Sequence, residues 1–161
     1  MKPKHQFREA NIEDLAILCQ WTLDLMAHEA VDESLELPLN SDLKNKIANW
    51  LRTLIESENA LFIVAIDDNE TPCGCVLGML QMAPNDFVDF NMHGLVQMIW
   101  VEPEYRRHGI AQQLLQHMEQ TFTNLDVPFC EISYSVTNQE AESFWHDNGY
   151  KPVSKTCRKF L

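Results

Sequence analysis

The sequence predicts a mixed α/β domain with a strand-helix-strand crossover in its second half, and three observations carry that prediction. Leu61 to Ile66 and Cys73 to Met82 are continuous apolar runs bounded by turn residues, the pattern of buried strands. Leu15 to Met26 and Ile47 to Ile55 repeat apolar residues at three- and four-residue intervals, the pattern of helices packed on one face. The apolar run Met98 to Val101 breaks at Arg106-Arg107-His108-Gly109-Ile110-Ala111 and passes into a helical pattern over Ala111 to Phe122. Strand, tight turn and helix thus follow one another.

In chain order, His5 to Arg8 reads as a short strand. Asn11 is placed to cap a helix, with Glu13 and Asp14 near the positive end of its dipole, and the apolar series carries that helix to about His28. Glu29 to Glu36 is an acidic connection ending at Pro38; Asn40-Ser41-Asp42 then caps a second helix carrying Ile47, Trp50, Leu51, Leu54 and Ile55. Asp67 to Pro72 supplies the turn between two antiparallel strands, and Ala83 to Asp89 is a polar loop. His93 to Val101 is the strand entering the turn at Arg106, and Gly109 to Thr123 the helix leaving it. Pro128 precedes a strand over Phe129 to Val136, Asn138 to Asp147 is helical, Asn148-Gly149 stops it, and Val153 to Phe160 reads as a closing strand. With no repeat or linker in 161 residues, 1–161 is expected to be one domain.

Composition removes several function classes. With 24 acidic residues against 12 Lys and Arg, a formal charge of −12 repels a phosphate backbone, so no nucleic-acid partner is expected. A cationic partner fits this balance, and so does a surface that is only well solvated. No stretch approaches the ~20 apolar residues of a membrane span, and the start Met1-Lys-Pro-Lys-His lacks the apolar centre of a secretory signal, which makes the cytoplasm the expected compartment. The five cysteines are odd in number and scattered through core-like elements, the pattern of reduced thiols. Cys73-Gly-Cys75 has no second pair at zinc-site spacing, so no metal is expected.

The turn at Arg106 is where the sequence points at chemistry. A glycine-containing turn that opens a helix leaves the first backbone N–H groups without partners and aimed at one point, which favours an anion.

Here the residues carry a resemblance. Ile99 to Ala111, followed by Leu114-Leu115, resembles the acyl-CoA-binding motif of the GNAT superfamily of N-acyltransferases, whose core is Gln/Arg-x-x-Gly-x-Gly/Ala; Arg106, Gly109 and Ala111 stand at its defining positions. Asn138, Ala141, Phe144-Trp145 and Gly149-Tyr150 resemble a second family segment, and Phe7-Arg8-Glu9-Ala10 with Asp14 resembles the family's first strand and helix. The resemblance implies a single GNAT-like domain: a mostly antiparallel sheet of six to seven strands with flanking helices and a central splayed parallel pair, formed by Ile99 to Val101 and Phe129 to Val136. It implies acetyl-CoA as acyl donor, with no metal. The pyrophosphate would rest on the N–H groups of Arg107, His108, Gly109, Ile110 and Ala111, beside the charge of Arg106. The pantetheine would follow the backbone of Ile99, Trp100 and Val101, with Asn138 and Trp145 beside it. A homodimer is among the assemblies the family admits.

The activity implied is transfer of the acetyl group to a primary amine of a small cationic molecule, by direct attack in a ternary complex. Peptide or protein N-acetylation, or acyl-CoA sensing without turnover, are the alternatives. Two departures from the family pattern bear on mechanism. Gln97 stands where members often carry a glutamate that relays the amine's proton, and Trp145 where many carry a tyrosine that protonates the thiolate. The base role then passes to Glu131, His93 or Asp89, with Glu131 preferred, and the acid role to Tyr134. Family members build the acceptor pocket from the first two helices and their connection, here His28, Glu29 and Glu33 together with Asp24, Asp32 and Glu36. Phe87, Phe90 and Trp21 are read either as apolar walls of that pocket or as core.

Overall fold

The computed structural model describes residues 5–161; residues 1–4, on which the reading of the N-terminal start falls, lie outside them. Five strands form one sheet in the order β1 (Gln6–Glu9), β2 (Ala60–Ile66), β3 (Pro72–Met82), β4 (Met92–Val101) and β5 (Cys130–Ile132). Helices α1 (Leu15–His28) and α2 (Leu43–Ile55) precede β2, α3 (Ile110–Asn124) connects β4 to β5, and α4 (Gln139–Asp147) follows β5. The first four strands pair antiparallel, and β4 with β5 parallel through the α3 crossover.

Local chemistry accounts for the helix starts. Asn11 and Asp14 form a capping box around a 3-10 turn that leads into α1. Arg8 donates to both carboxylate oxygens of Asp14, at 2.7 and 2.8 Å, which fastens β1 to the start of α1. The Asn40 side-chain oxygen Oδ1 accepts the Asp42 N–H at 2.8 Å just ahead of α2. Trp21, fully buried, donates its indole N–H to Glu102 Oε1 at 2.6 Å and so ties α1 to the end of β4.

Each face of the sheet carries a core. Leu18, Trp21, Ile47 and Leu51 from α1 and α2 cover Val64, Leu77, Met98 and Trp100 on one face. Leu114, Leu115, Met118 and Phe122 from α3, with Trp145 from α4, cover Val76, Val96 and Val101 on the other. Val96 and Met98 lie on opposite faces although two residues apart, because the register jumps from Leu77↔Met98 to Gly78↔Val96 and leaves Gln97 as a bulge. Where β4 meets β5, a Cβ on Gly94 would lie 2.7 Å from the Cys130 sulfur and from the Phe122 ring, so only glycine admits this packing.

Three expectations change. The strand over Phe129 to Val136 shortens to Cys130–Ile132, and the chain turns away at Ser133. The closing strand at Val153 to Phe160 is not formed: residues 151–161 are irregular and exposed. That segment intersperses Val153, Cys157 and Phe160 with charged and polar residues, and a three-residue β5 offers little edge on which to pair. The sheet therefore has five strands, and its parallel pair β4–β5 lies at one edge and not at the centre, while the mixed α/β fold stands. All five cysteines are free thiols; Cys73 and Cys75 are buried strand residues, and burial pushes the Cys73 thiol up to about 11. No helix among the described residues is long and apolar enough to cross a membrane, and no group of His, Cys, Asp or Glu among them is arranged to hold a metal.

Candidate active site

The turn after β4 uses backbone conformations that few residues adopt. Pro103–Tyr105 forms a 3-10 turn, Arg106 is extended, and Arg107 and Gly109 take φ of 62° and 79°. At Gly109 the positive φ, not crowding, demands glycine, because an added Cβ would meet only Gln113 Nε2 at 3.7 Å. Among the described residues no side chain caps α3, and the Gln113 N–H donates to the Gly109 carbonyl at 3.1 Å as its first turn closes. The N–H groups of Ile110, Ala111 and Gln112 therefore have no helical acceptor and face out of an end carrying roughly half a positive charge.

Side chains pin this turn to the sheet. Arg106 Nε donates to the Val101 carbonyl at 2.9 Å, and its guanidinium lies 4.9 Å from the centre of the Trp100 ring. Tyr105 donates its hydroxyl to Asp67 Oδ2 at 2.9 Å; the Thr71 N–H and this hydroxyl hold the Asp67 carboxyl below its usual range.

The parallel ladder between β4 and β5 ends at Val96↔Ile132, while β4 continues to Val101 paired only with β3. A cavity of about 790 Å³ opens in this splay and reaches both faces of the sheet. Its end near α1 is strapped across the gap. The Glu29 carboxylate accepts the Ser135 N–H and the Asn138 side-chain amide, and Thr137 Oγ1 donates to the Ala30 carbonyl at 3.1 Å. Asn138 also caps α4, its side-chain Oδ1 accepting the Ala141 N–H at 3.0 Å.

Most of the residues expected in the site converge here. Ile99, Trp100, Val101, Arg106 and Arg107 line the cavity, as do Gly109, Ile110 and Ala111. Asn138, Trp145, Tyr134, His28 and Glu29 line it from the other elements. His108 does not: it is exposed, with Nδ1 3.1 Å from the Tyr105 carbonyl. Glu131 and His93, expected as bases, also lie elsewhere, because they belong to the paired half of the two strands whereas the cavity opens in the unpaired half. His93 is buried and stacked on Phe129 at 5.1 Å, with Glu131 Oε2 3.6 Å from its Nε2. Asp89 and Glu33 are exposed outside the cavity, and Asp24, Asp32 and Glu36 do not line it. Of the apolar residues weighed as walls, Trp21 is core, Phe90 packs on Phe129 and Phe87 is exposed. The wall is instead Leu25, Met26, Ile47, Trp50 and Met98. Helical spacing marked Ile47 and Trp50 as one inward face, but nothing in the spacing tells a face on the core from a face on a cavity.

The arrangement belongs to a known family. A model of the acetyltransferase (GNAT) family matches residues 23–150. No curated protein sequence matches the chain. Among solved structures, a GCN5-related N-acetyltransferase from Ralstonia eutropha superposes with a TM-score of 0.78 at 17% identity, covering 98% of this chain and 99% of that one. Aminoglycoside 6'-N-acetyltransferase AAC(6')-Ih from Acinetobacter baumannii gives 0.73 at 16% identity, with 98% of each chain covered. Aminoglycoside N-acetyltransferase AAC(6')-Iy in complex with CoA gives 0.78 at 13% identity, covering 100% of this chain and 97% of that one. These likenesses concern the fold, while the family match spans most of the chain, both halves of the splay and the turn at Arg106. The chain belongs to the GNAT acetyltransferase family.

Proposed function

We propose that the protein transfers the acetyl group of acetyl-CoA to a primary amine of a small cationic molecule, by direct attack within a ternary complex. The observation that carries this reading is the bare N-terminal end of α3 opening onto a cavity that follows the unpaired edge of β4. A pyrophosphate suits that end: the N–H groups of Ile110 and Ala111 donate to no competing side-chain cap, Gly109 leaves open space, and Arg106 and Arg107 add charge in an acidic chain. The edge of β4 from Ile99 to Val101 would hold the pantetheine in place of a further strand. Two neighbours named for aminoglycosides, one of them in complex with CoA, support the donor and the small amine acceptor.

Acetyl-CoA supplies an activated thioester; attack by the amine nitrogen forms the C–N bond, breaks the C–S bond, releases a proton from nitrogen and leaves a thiolate that takes one up. In our reading a β4 backbone N–H bordering the gap polarises the carbonyl oxygen. Tyr134, which lines the cavity, is the proposed proton donor to the thiolate. Gln97 lines it too, and its amide cannot act as a base. With Glu131 and His93 outside, the amine's proton passes to solvent or to His28, a histidine on the cavity wall.

The test is an acetyl-CoA-dependent amine-library assay with free-thiol detection, paired with calorimetry of acetyl-CoA. Binding together with thiol release on adding an amine is expected. Binding with no release for any amine would leave only a sensor, and absence of binding would overturn the reading entirely.

A further inference from the structure

Resting on that acyl-transfer reading, we infer that the acceptor is a primary monoamine with an apolar, preferably aromatic, body, and not a polyamine or an aminoglycoside. The cavity wall formed by α1, α2 and β4 consists of Leu25, Met26, Ile47, Trp50, Met98 and Trp100. Its hydroxyl and carboxylate are committed to the protein, and the Gln97 amide and the buried, unpartnered Trp100 indole N–H carry no charge. The Thr22 hydroxyl donates to the Leu18 carbonyl at 2.8 Å, and the Glu29 carboxylate is taken up by the Ser135 N–H and the Asn138 amide.

One ionisable pair remains at that end: His28 Nε2 lies 3.9 Å from Glu140 Oε2 on α4, and the His28 ring meets Trp100 edge-on at 6.4 Å. The remaining carboxylate of the lining, Asp147, is two helical turns further along α4, about 10 Å from Glu140 by helix rise, and faces His146 at 3.7 Å. The acidic connection after α1 does not supply more: Glu33 and Glu36 are exposed outside the cavity, and the Asp32 carboxylate is bonded to Ser34.

The consequence is a count of charges. A single amino group finds one carboxylate beside an imidazole, with the indole faces nearby to favour its protonated form on entry. Each further ammonium of a polycation would lie against apolar wall without a partner, at the cost of its hydration. An aryl or alkyl body instead covers that wall, and an aromatic ring gains edge or offset contact with the two tryptophans.

The experiment compares kcat/KM for 2-phenylethylamine, n-hexylamine, spermidine and kanamycin at saturating acetyl-CoA, with thiol release as readout, in the wild type and in Trp50→Ala. In the wild type the two apolar amines should exceed both polycations by about tenfold or more. Trp50→Ala should erase most of that preference through KM for 2-phenylethylamine, while calorimetric affinity for acetyl-CoA holds. Equal or greater efficiency with spermidine or kanamycin would overturn the inference and leave the acyl-transfer reading intact. Turnover of none of the four by a protein that binds acetyl-CoA would also overturn it, whereas loss of acetyl-CoA binding in the wild type would bring down the underlying reading as well.

Discussion

The turn at Arg106 to Ala111 and the wall formed by α1, α2, β4 and α4 border the same cavity but are made differently. The turn is six consecutive residues whose backbone does the work: left-handed Arg107 and Gly109 and the uncapped start of α3. The wall draws Met26, Trp50, Trp100 and Glu140 from four elements and acts through side chains. Backbone groups can hold a ligand whatever side chains they carry, whereas a wall of side chains selects by its own shape and charge.

The largest expected effect breaks the turn alone. Gly109→Glu should weaken acetyl-CoA binding by about two orders of magnitude, combining about 1–2 kcal/mol of left-handed backbone strain with repulsion of a pyrophosphate. Calorimetry measures it, and retained wild-type affinity would remove the pyrophosphate from this turn.

A second experiment acts on the wall from a distance, through the anchor of α1. Burial pushes the Asp14 carboxyl up, but the hydrogen bonds from Arg8 and from the Asn11 N–H, with the Arg8 charge, outweigh it and hold the group below its usual range. The stabilisation is then complete above the ordinary carboxylate value of about 4 and is lost as pH falls through the lower folded-state value. Asp14→Asn should cost about 2 kcal/mol near neutral pH, less than a fully buried pair because Arg8 is partly exposed. Urea unfolding from pH 7 to pH 2 would show the gap between the two proteins closing on the acid side; a constant gap would contradict the assignment.

The smallest effect sharpens the comparison at the strap. Glu29→Gln keeps the shape but sets an amide against the Asn138 amide, which should cost about 1–2 kcal/mol of stability. The KM for amine should rise more than the Kd for acetyl-CoA. An equal rise in both would show that turn and wall are not separable.

Much of this was readable from residues in order. The apolar runs at 61–66 and 73–82, the two helix starts, and the strand-turn-helix at 98–122 correspond to β2, β3, α1, α2, β4 and α3 within a few residues. Readings that depended on partners fared differently. Val153 to Phe160 looks like a strand until its edge is found to be the three residues of β5. Glu131 and His93 sit on the expected strands, yet the split at Val96 puts them on the closed side of the fork. Glu29 looked like a free carboxylate for a cation, and the fold spends it on Ser135 and Asn138.

The sequence by itself determined the local features: turn chemistry, helix caps, apolar period and the motif from Arg106 to Ala111, because each rests on interactions between residues a few positions apart. Only the tertiary structure decided where β5 leaves β4, which charges remain unspent and which apolar side chains face a cavity instead of a core. Those outcomes depend on contacts between segments 80 to 110 residues apart, such as Trp21 with Glu102 and Glu29 with Asn138. Spacing along a chain records which face of an element is apolar, but what that face meets is settled by the packing of the whole domain.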